Sequence, residues 1–285
     1  MKRLWERWVA YCGREEDGRA QALVRVLVPW AILLDLLRVA QLGLVGDLFV
    51  VGKVNARPDE GFVLDQFLDP QTAGLWAIIV VAIAFLLSSM GVFFRPMLLL
   101  GCLAYAQLGH LYSPGDRAID RLLRTVLVIW AFGDSNKVFS IPARHFRPTR
   151  VRAWPADLVR YLLVIVYLSA GIAKLLQQPG WLGMPRWPVL YRVMVDPMAA
   201  HMDPVGMQSF LLPLYGMGWG TIAFELSAIL ILTRWRQYWA FIGIFMHLGI
   251  FLTMDLGMFS WGMLALYPLL LSPPEGTKSS NTTPA

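Results

Sequence analysis

The sequence is poor in charge and almost free of cysteine. Only 15% of its 285 residues are charged and 57% are hydrophobic, whereas about 25% of residues are charged in an average soluble domain. This shortage of charge excludes a sizeable soluble domain. The two cysteines, Cys12 and Cys102, fall in the N-terminal segment and in a predicted membrane span. We therefore do not expect a disulfide between them.

Other features are also missing. The four histidines have no metal-ligand spacing, so we expect neither zinc nor haem and no bound metal. The net charge is +6, but no basic stripe is interleaved with aromatic residues, and nucleic acid is not expected as a partner. No apolar core precedes Glu15 and Glu16, which argues against an N-terminal signal peptide.

The sequence does contain a series of apolar segments long enough to cross a lipid bilayer, which takes about 20 residues as a helix. It therefore predicts an all-α, polytopic membrane helix bundle with about eight transmembrane helices. We expect an amphipathic interfacial helix in residues 1–20, a transmembrane domain over 21–272 and a disordered tail over 273–285. The predicted spans are 22–45, 74–93, 97–111, 115–132, 156–176, 210–232, 238–254 and 258–271.

The distribution of Lys and Arg predicts the orientation of this bundle. Basic residues are concentrated before the first span, between the fourth and fifth spans, and in the turn with Arg234 and Arg236, whereas the opposite loops are acidic or mixed. Short cytoplasmic loops carry an excess of Lys and Arg. Both termini are therefore predicted to face the cytoplasm, in agreement with an even number of spans.

Several predicted spans carry ionisable residues. Charge inside a bilayer is costly and needs a partner, a cavity or a function. At about 1.5 Å per helical residue, most of these residues fall in the non-cytoplasmic half of the bilayer, which indicates one polar cavity open to that side. The residues are Asp35, Arg38, His110, Asp116, Asp120, Arg121, Arg124, Lys174, Glu225 and His247.

These residues also have structural interpretations. Asp35 with Arg38, and Asp120 with Arg124, are spaced to pair on one helix face. Glu225 can hydrogen-bond a Ser or Trp of a neighbouring helix. The arginines at the start of the fourth span can extend to the membrane surface or bind lipid phosphate.

Lys174 is the hardest of these residues to explain structurally. It follows Tyr167 in the stretch YLSAGIAKL, whose small residues allow another helix or a ligand to approach closely. The side chain can reach outward to water. If it is instead shielded from water, burial favours the neutral amine, the form that a general base or a Schiff-base lysine needs.

Three stretches carry more specific motifs. YLSAGIAKLLQQPGW contains AG-x-x-K-L followed by Trp, and MHLGIFLTMDLGMFSWGMLALYPLLLSPPE contains H-L-G and then G-x-F-S. Together with GDRAIDRLLRTVLVIWAFGDSNKVFS they resemble the HTTM family (horizontally transferred transmembrane domain), which forms the membrane part of vitamin K-dependent gamma-carboxylase. The resemblance covers residues 18–274 and implies an integral protein of a bacterial inner membrane.

The resemblance also implies roles for individual residues. Lys174 matches the family lysine that deprotonates vitamin K hydroquinone, and His247 matches the histidine of the penultimate span. The implied protein is a carboxylase- or epoxidase-like enzyme with these two catalytic residues and a reduced quinone as cofactor. The residues expected to line the site are Tyr167, Trp181, Asp120, Arg124 and Glu225.

Two departures from the carboxylase narrow this expectation. The carboxylase has a histidine at the outer start of the fourth span, and none occurs between Asp116 and Arg124. The carboxylase also has a large domain after its spans, which holds the peptide, so full peptide gamma-carboxylation by this chain alone is not expected. The leading hypothesis is an enzyme that handles a quinol or an acidic peptide group. In it, Lys174 is the base and His247 is its hydrogen-bonding or proton-relay partner. The alternative is a non-catalytic accessory protein for maturing a secreted peptide, which needs residues 181–203 and not Lys174.

Overall fold

The computed structural model is helical over most of the chain that it describes, as the sequence predicts. The chain divides into two compact units. The first contains residues 1–156 and 261–266, and the second contains 157–260 and 267–285. The predicted tail, 273–285, lies outside the described residues. These are 2–49, 70–112, 115–143, 150–177, 181, 189–194 and 211–272.

Six helices form most of the first unit. A tight turn joins the helices Pro70–Ser89 (α4) and Phe94–Leu111 (α5). In this turn Gly91 and Phe93 have positive φ values of 79° and 43°, and glycine adopts such values readily. Pro96 follows within the first turn of α5, where a missing N–H costs nothing. The helices are α1 (Lys2–Cys12), α2 (Arg19–Gln41), α3 (Val45–Phe49), α4 (Pro70–Ser89), α5 (Phe94–Leu111) and α6 (Ala118–Ala131).

A short antiparallel strand pair departs from the all-α prediction. Strand β1 (Glu15–Asp17) pairs with β2 (Arg150–Arg152), with Glu15 opposite Arg152. Acidic residues thus face basic ones across the ladder, which stabilises the pair. The predicted interfacial helix is correspondingly shorter and ends at Cys12.

Arg25 is a fully buried charge in the first unit. Its guanidinium donates hydrogen bonds to the carbonyl of Ser89 at the end of α4 and to those of Ser135, Val138 and Phe139 beyond α6. Carbonyls at helix ends have no partner within the helix. One arginine therefore satisfies several of them and fixes the chain that follows α6.

The remaining helices follow along the chain, and most of their residues belong to the second unit. Two predicted spans are irregular: residues 210–232 end in a 3₁₀ stretch, Ser227–Leu232, and residues 258–271 break before Pro268, which has no N–H to donate. The helices are α7 (Trp154–Gln177), α8 (Val189–Met194), α9 (Leu211–Leu226), α10 (Arg236–Thr253), α11 (Phe259–Leu264) and α12 (Pro268–Leu271).

Three helices in the described part of the chain are long and apolar enough to cross a membrane. They are Thr72–Ser89, Trp154–Leu176 and Leu211–Leu232, and Phe259–Leu271 is a shorter apolar segment. Large apolar side chains such as Phe245 are exposed on the surface, as expected for contact with lipid. These helices support a membrane protein, and the total of about eight spans stays a prediction.

Candidate functional site

The α7 and α9 helices bring Lys174 and Glu225 into direct contact. Lys174 Nζ lies 2.5 Å from Glu225 Oε1. The helices approach closely beside Gly171, where a Cβ atom would lie 3.1 Å from the Cβ of Glu225. The two side chains are only 19% and 9% exposed. Lys174 therefore does not extend into water, and it has a charged partner within the second unit.

Trp181 covers the other side of this lysine. The Nζ atom of Lys174 lies 5.1 Å from the centre of the Trp181 ring, within the range of a cation–π interaction. Two of the predicted site residues, Trp181 and Glu225, thus contact the predicted base directly. A lysine between a carboxylate and an aromatic face is held in one position, as a proton-transferring group must be.

His247 lies in a separate hydrogen-bonded chain of the same unit. It is fully buried on α10, and its Nε2 lies 2.8 Å from the hydroxyl of Tyr167. That hydroxyl lies 3.0 Å from the hydroxyl of Tyr267. The Tyr267 hydroxyl packs against Gly243, where a Cβ atom would overlap it. The hydrogen-bonding partner of His247 is therefore Tyr167, whereas the sequence suggested Lys174.

Aromatic rings enclose this chain of hydroxyls. Phe224 stacks on Trp239 with ring centres 4.2 Å apart, and the edge of Tyr167 meets Trp239 at 4.9 Å. Phe224, Trp239 and Tyr267 were not predicted as site residues. A buried hydroxyl requires hydrogen-bond partners, and Tyr267 in the last motif was the signal that could have identified the second partner of Tyr167.

Two polar atoms of the second unit are buried without a hydrogen-bond partner in the part of the chain that the structure describes. They are Glu225 Oε2 and His247 Nδ1. Such atoms are rare in folded proteins because the lost hydration is costly. Both belong to residues predicted for the site, and Glu225 Oε2 is an acceptor on the same carboxylate that binds Lys174.

Asp120 and Arg124 lie in the first unit, in a network around the start of α6. Arg117 bridges Asp35 at 2.7 Å and Asp120 at 2.9 Å. Arg124 pairs with Asp116 at 2.7 Å. The Asp120–Arg124 pair suggested by sequence spacing is thus replaced, because Asp120 contacts Arg117 and Arg124 contacts Asp116.

Asp120 is the most deeply buried carboxylate of this network. Its side chain is 4% exposed, and it accepts hydrogen bonds from the Tyr105 hydroxyl and from the backbone N–H of Arg117. Among the residues that the structure describes, no group of three or more His, Cys, Asp or Glu side chains is placed to hold a metal ion.

Residues 14–274 of the chain match the HTTM domain. The chain belongs to the HTTM family. No curated protein and no solved structure gives a significant match to it. The family assignment confirms the resemblance drawn from the motifs around Lys174 and His247. Together with the apolar helices, it makes this HTTM protein a membrane protein related to the membrane domain of the gamma-carboxylase.

Proposed function

We propose that this HTTM protein is a membrane enzyme in which Lys174 and Glu225 accept a proton from a lipid-soluble quinol. The observation that carries this proposal is the 2.5 Å contact between Lys174 Nζ and Glu225 Oε1. Both residues lie in helices apolar enough to cross a membrane. Ionisable residues at such positions are costly to keep, and they commonly mark proton pathways.

The pair can move a proton in two steps. The ammonium of Lys174 first passes a proton along the hydrogen bond to Glu225, which leaves a neutral amine and a carboxylic acid. The amine then takes the proton of the quinol hydroxyl, and the electrons of the broken O–H bond stay on the oxygen. The new ammonium faces Trp181 at 5.1 Å, so the aromatic ring stabilises the positive charge that forms.

The surrounding residues fit a quinol. Glu225 Oε2 is a buried acceptor that makes no hydrogen bond within the described chain, and a phenolic hydroxyl is a suitable donor for it. Trp181 offers an aromatic face, which suits a flat ring. A bound reduced quinone would supply the acidic hydroxyl and two electrons. We propose dioxygen as the oxidant, which takes the two electrons and the two quinol protons and leaves as hydrogen peroxide.

The test is quinol oxidation by the purified protein. Vitamin K hydroquinone is added in detergent under air, and the quinone that forms is measured by chromatography. We expect Lys174→Ala and Lys174→Arg to lower the enzymatic rate about a hundredfold or more, as for the loss of a general base. Lys174→Arg is the informative variant because arginine keeps the charge and does not release its proton.

A matched control is Lys137→Arg, which changes an exposed lysine of the first unit and is expected to leave the rate unchanged. If both Lys174 variants oxidise the quinol at the rate of the unchanged protein, the proposal is wrong. The accessory role in maturing a secreted peptide would then be favoured, and deleting residues 181–203 would be the next experiment.

A further inference from the structure

The first unit contains a cavity of about 250 Å³. It lies where α2 and α5 end and α6 begins, and α3 covers it with Leu48 and Phe49. Gly74 of α4 allows α3 to come this close, because a Cβ atom there would overlap the Phe49 carbonyl. The packing of the helices in this unit therefore forms the cavity, which lies at the ends of three helices.

One wall of this cavity is charged. Its ionisable groups are three carboxylates and two guanidinium groups, already paired with one another, from Asp35, Asp116, Asp120, Arg117 and Arg124. A ligand with a large net charge would be left partly buried without an opposite charge beside it, and this costs free energy. A ligand that carries one positive and one negative group avoids this cost.

Two groups on the wall are suited to such a ligand. The side chain of Arg117 is 36% exposed, compared with 14% for Asp35 and 16% for Arg124, so its guanidinium is the most accessible to an anion. Asp116 Oδ1 lies 2.7 Å from Arg124 but is buried without a hydrogen bond of good geometry. An ammonium group with N–H donors would satisfy it.

Apolar side chains also line the cavity. They include Leu36 and Val39 of α2, Leu48 of α3 and Leu108 of α5. In a membrane protein, the ends of the helices lie at the level of the lipid headgroups. A cavity at that level, lined by both charged and apolar side chains, matches the two chemistries of a phospholipid.

We propose that this cavity binds the head of a zwitterionic phospholipid that carries a primary ammonium, as in phosphatidylethanolamine. Its phosphate binds Arg117, its ammonium donates to Asp116, and the upper part of an acyl chain lies against Leu48 and Leu108. This site involves only the first unit and is independent of proton transfer at Lys174.

The test is lipid retention by the purified protein, measured by native mass spectrometry. The detergent-solubilised chain is mixed with equal amounts of dioleoyl phosphatidylethanolamine, phosphatidylcholine and phosphatidylglycerol. We expect phosphatidylethanolamine to be retained about tenfold more than the other two, because choline has no N–H donor and glycerol no ammonium. This is the fold-change of one hydrogen bond to a charged group.

Three variants examine the site itself. Asp116→Asn and Arg117→Gln should each reduce phosphatidylethanolamine retention about tenfold, and Leu48→Trp should do the same by filling the cavity with the ion pairs unchanged. Arg95→Gln is the matched control. It removes the same charge from the start of α5, from a side chain that is 61% exposed and is not part of the cavity wall.

Each result decides for or against the site. Equal retention of the three lipids would overturn the proposal, and so would an equal loss with Arg95→Gln and Arg117→Gln. Binding of free O-phosphoethanolamine with the affinity of the lipid would replace the phospholipid by a soluble zwitterion. Melting temperatures of all variants within a few degrees of the unchanged protein show that a loss of lipid is not a loss of fold.

Discussion

The two units stabilise their charged side chains in different ways. In the first unit, the charges around α6 form a network in which Arg117 contacts both Asp35 and Asp120, and Asp116 contacts both Arg121 and Arg124. In the second unit, Lys174 and Glu225 form a single close pair, and one oxygen of Glu225 is buried without a hydrogen bond in the described chain.

The two arrangements differ in how they respond to the loss of one member. When Asp35 or Asp120 is lost, Arg117 keeps the other carboxylate. In the described chain, Lys174 and Glu225 have no second ion-pair partner. We therefore assign the proposed proton transfer to the second unit and the proposed binding of a lipid headgroup to the first.

The largest effect is expected from breaking the single pair. Lys174→Met leaves the carboxylate of Glu225 buried without its cation and should lower the free energy of unfolding by about 3 kcal/mol. Thermal unfolding in detergent, followed by tryptophan fluorescence, measures this. Lys174→Met with Glu225→Met removes both charges and should recover most of the loss. A double variant as unstable as the sum of the two single variants would contradict the isolated pair.

A smaller effect is expected in the hydroxyl chain of the second unit. Gly243→Ala places a methyl group where the Tyr267 hydroxyl lies, and we expect a loss of about 2 kcal/mol from the displaced ring. The matched control is Gly249→Ala on the same helix, where nothing lies within 4 Å of the added Cβ. Similar unfolding temperatures for the two variants would show that Tyr267 moves aside without cost.

The smallest effect is expected in the first unit. Asp35→Asn removes one of the two carboxylates that bind Arg117, and the remaining contact with Asp120 should limit the loss to below about 1 kcal/mol. The variant Asp35→Asn with Asp120→Asn should lose more than the sum of the single changes, which the same unfolding assay measures. Additive losses would show that Asp35 and Asp120 do not compensate for each other as partners of Arg117.

Much of the fold could be predicted from hydrophobic runs. The predicted segment 97–111 corresponds to α5 (Phe94–Leu111), and 156–176 corresponds to α7 (Trp154–Gln177), because such runs report directly on burial from water. The strand pair could not be predicted. Glu15 and Arg152 are 137 residues apart, and three-residue strands of charged side chains have no apolar alternation. The break before Pro268 could have been predicted, because proline has no N–H to donate within a helix.

The sequence indicated some residues of the candidate site but not how they pair. Charge inside apolar runs identified Lys174, Glu225 and His247, because such residues need a reason to be there. Which of them meet depends on how helices approach one another, and this is set by side-chain packing at positions such as Gly171. The sequence therefore indicated a lysine–histidine partnership, whereas the structure pairs the lysine with Glu225 and the histidine with Tyr167.

The β1–β2 pairing has a consequence for biosynthesis. Strand β1 is complete once Asp17 is made, but β2 begins only at Arg150. At translation rates of about 5–20 residues per second, the N-terminal segment must wait on the order of ten seconds for its partner. Trp5 and Trp8 of α1 are exposed even in the complete fold, and until β2 is made α1 is followed by a strand without a partner. A ribosome stalled before Arg150 would therefore leave this helix available to chaperones, insertases and the membrane surface.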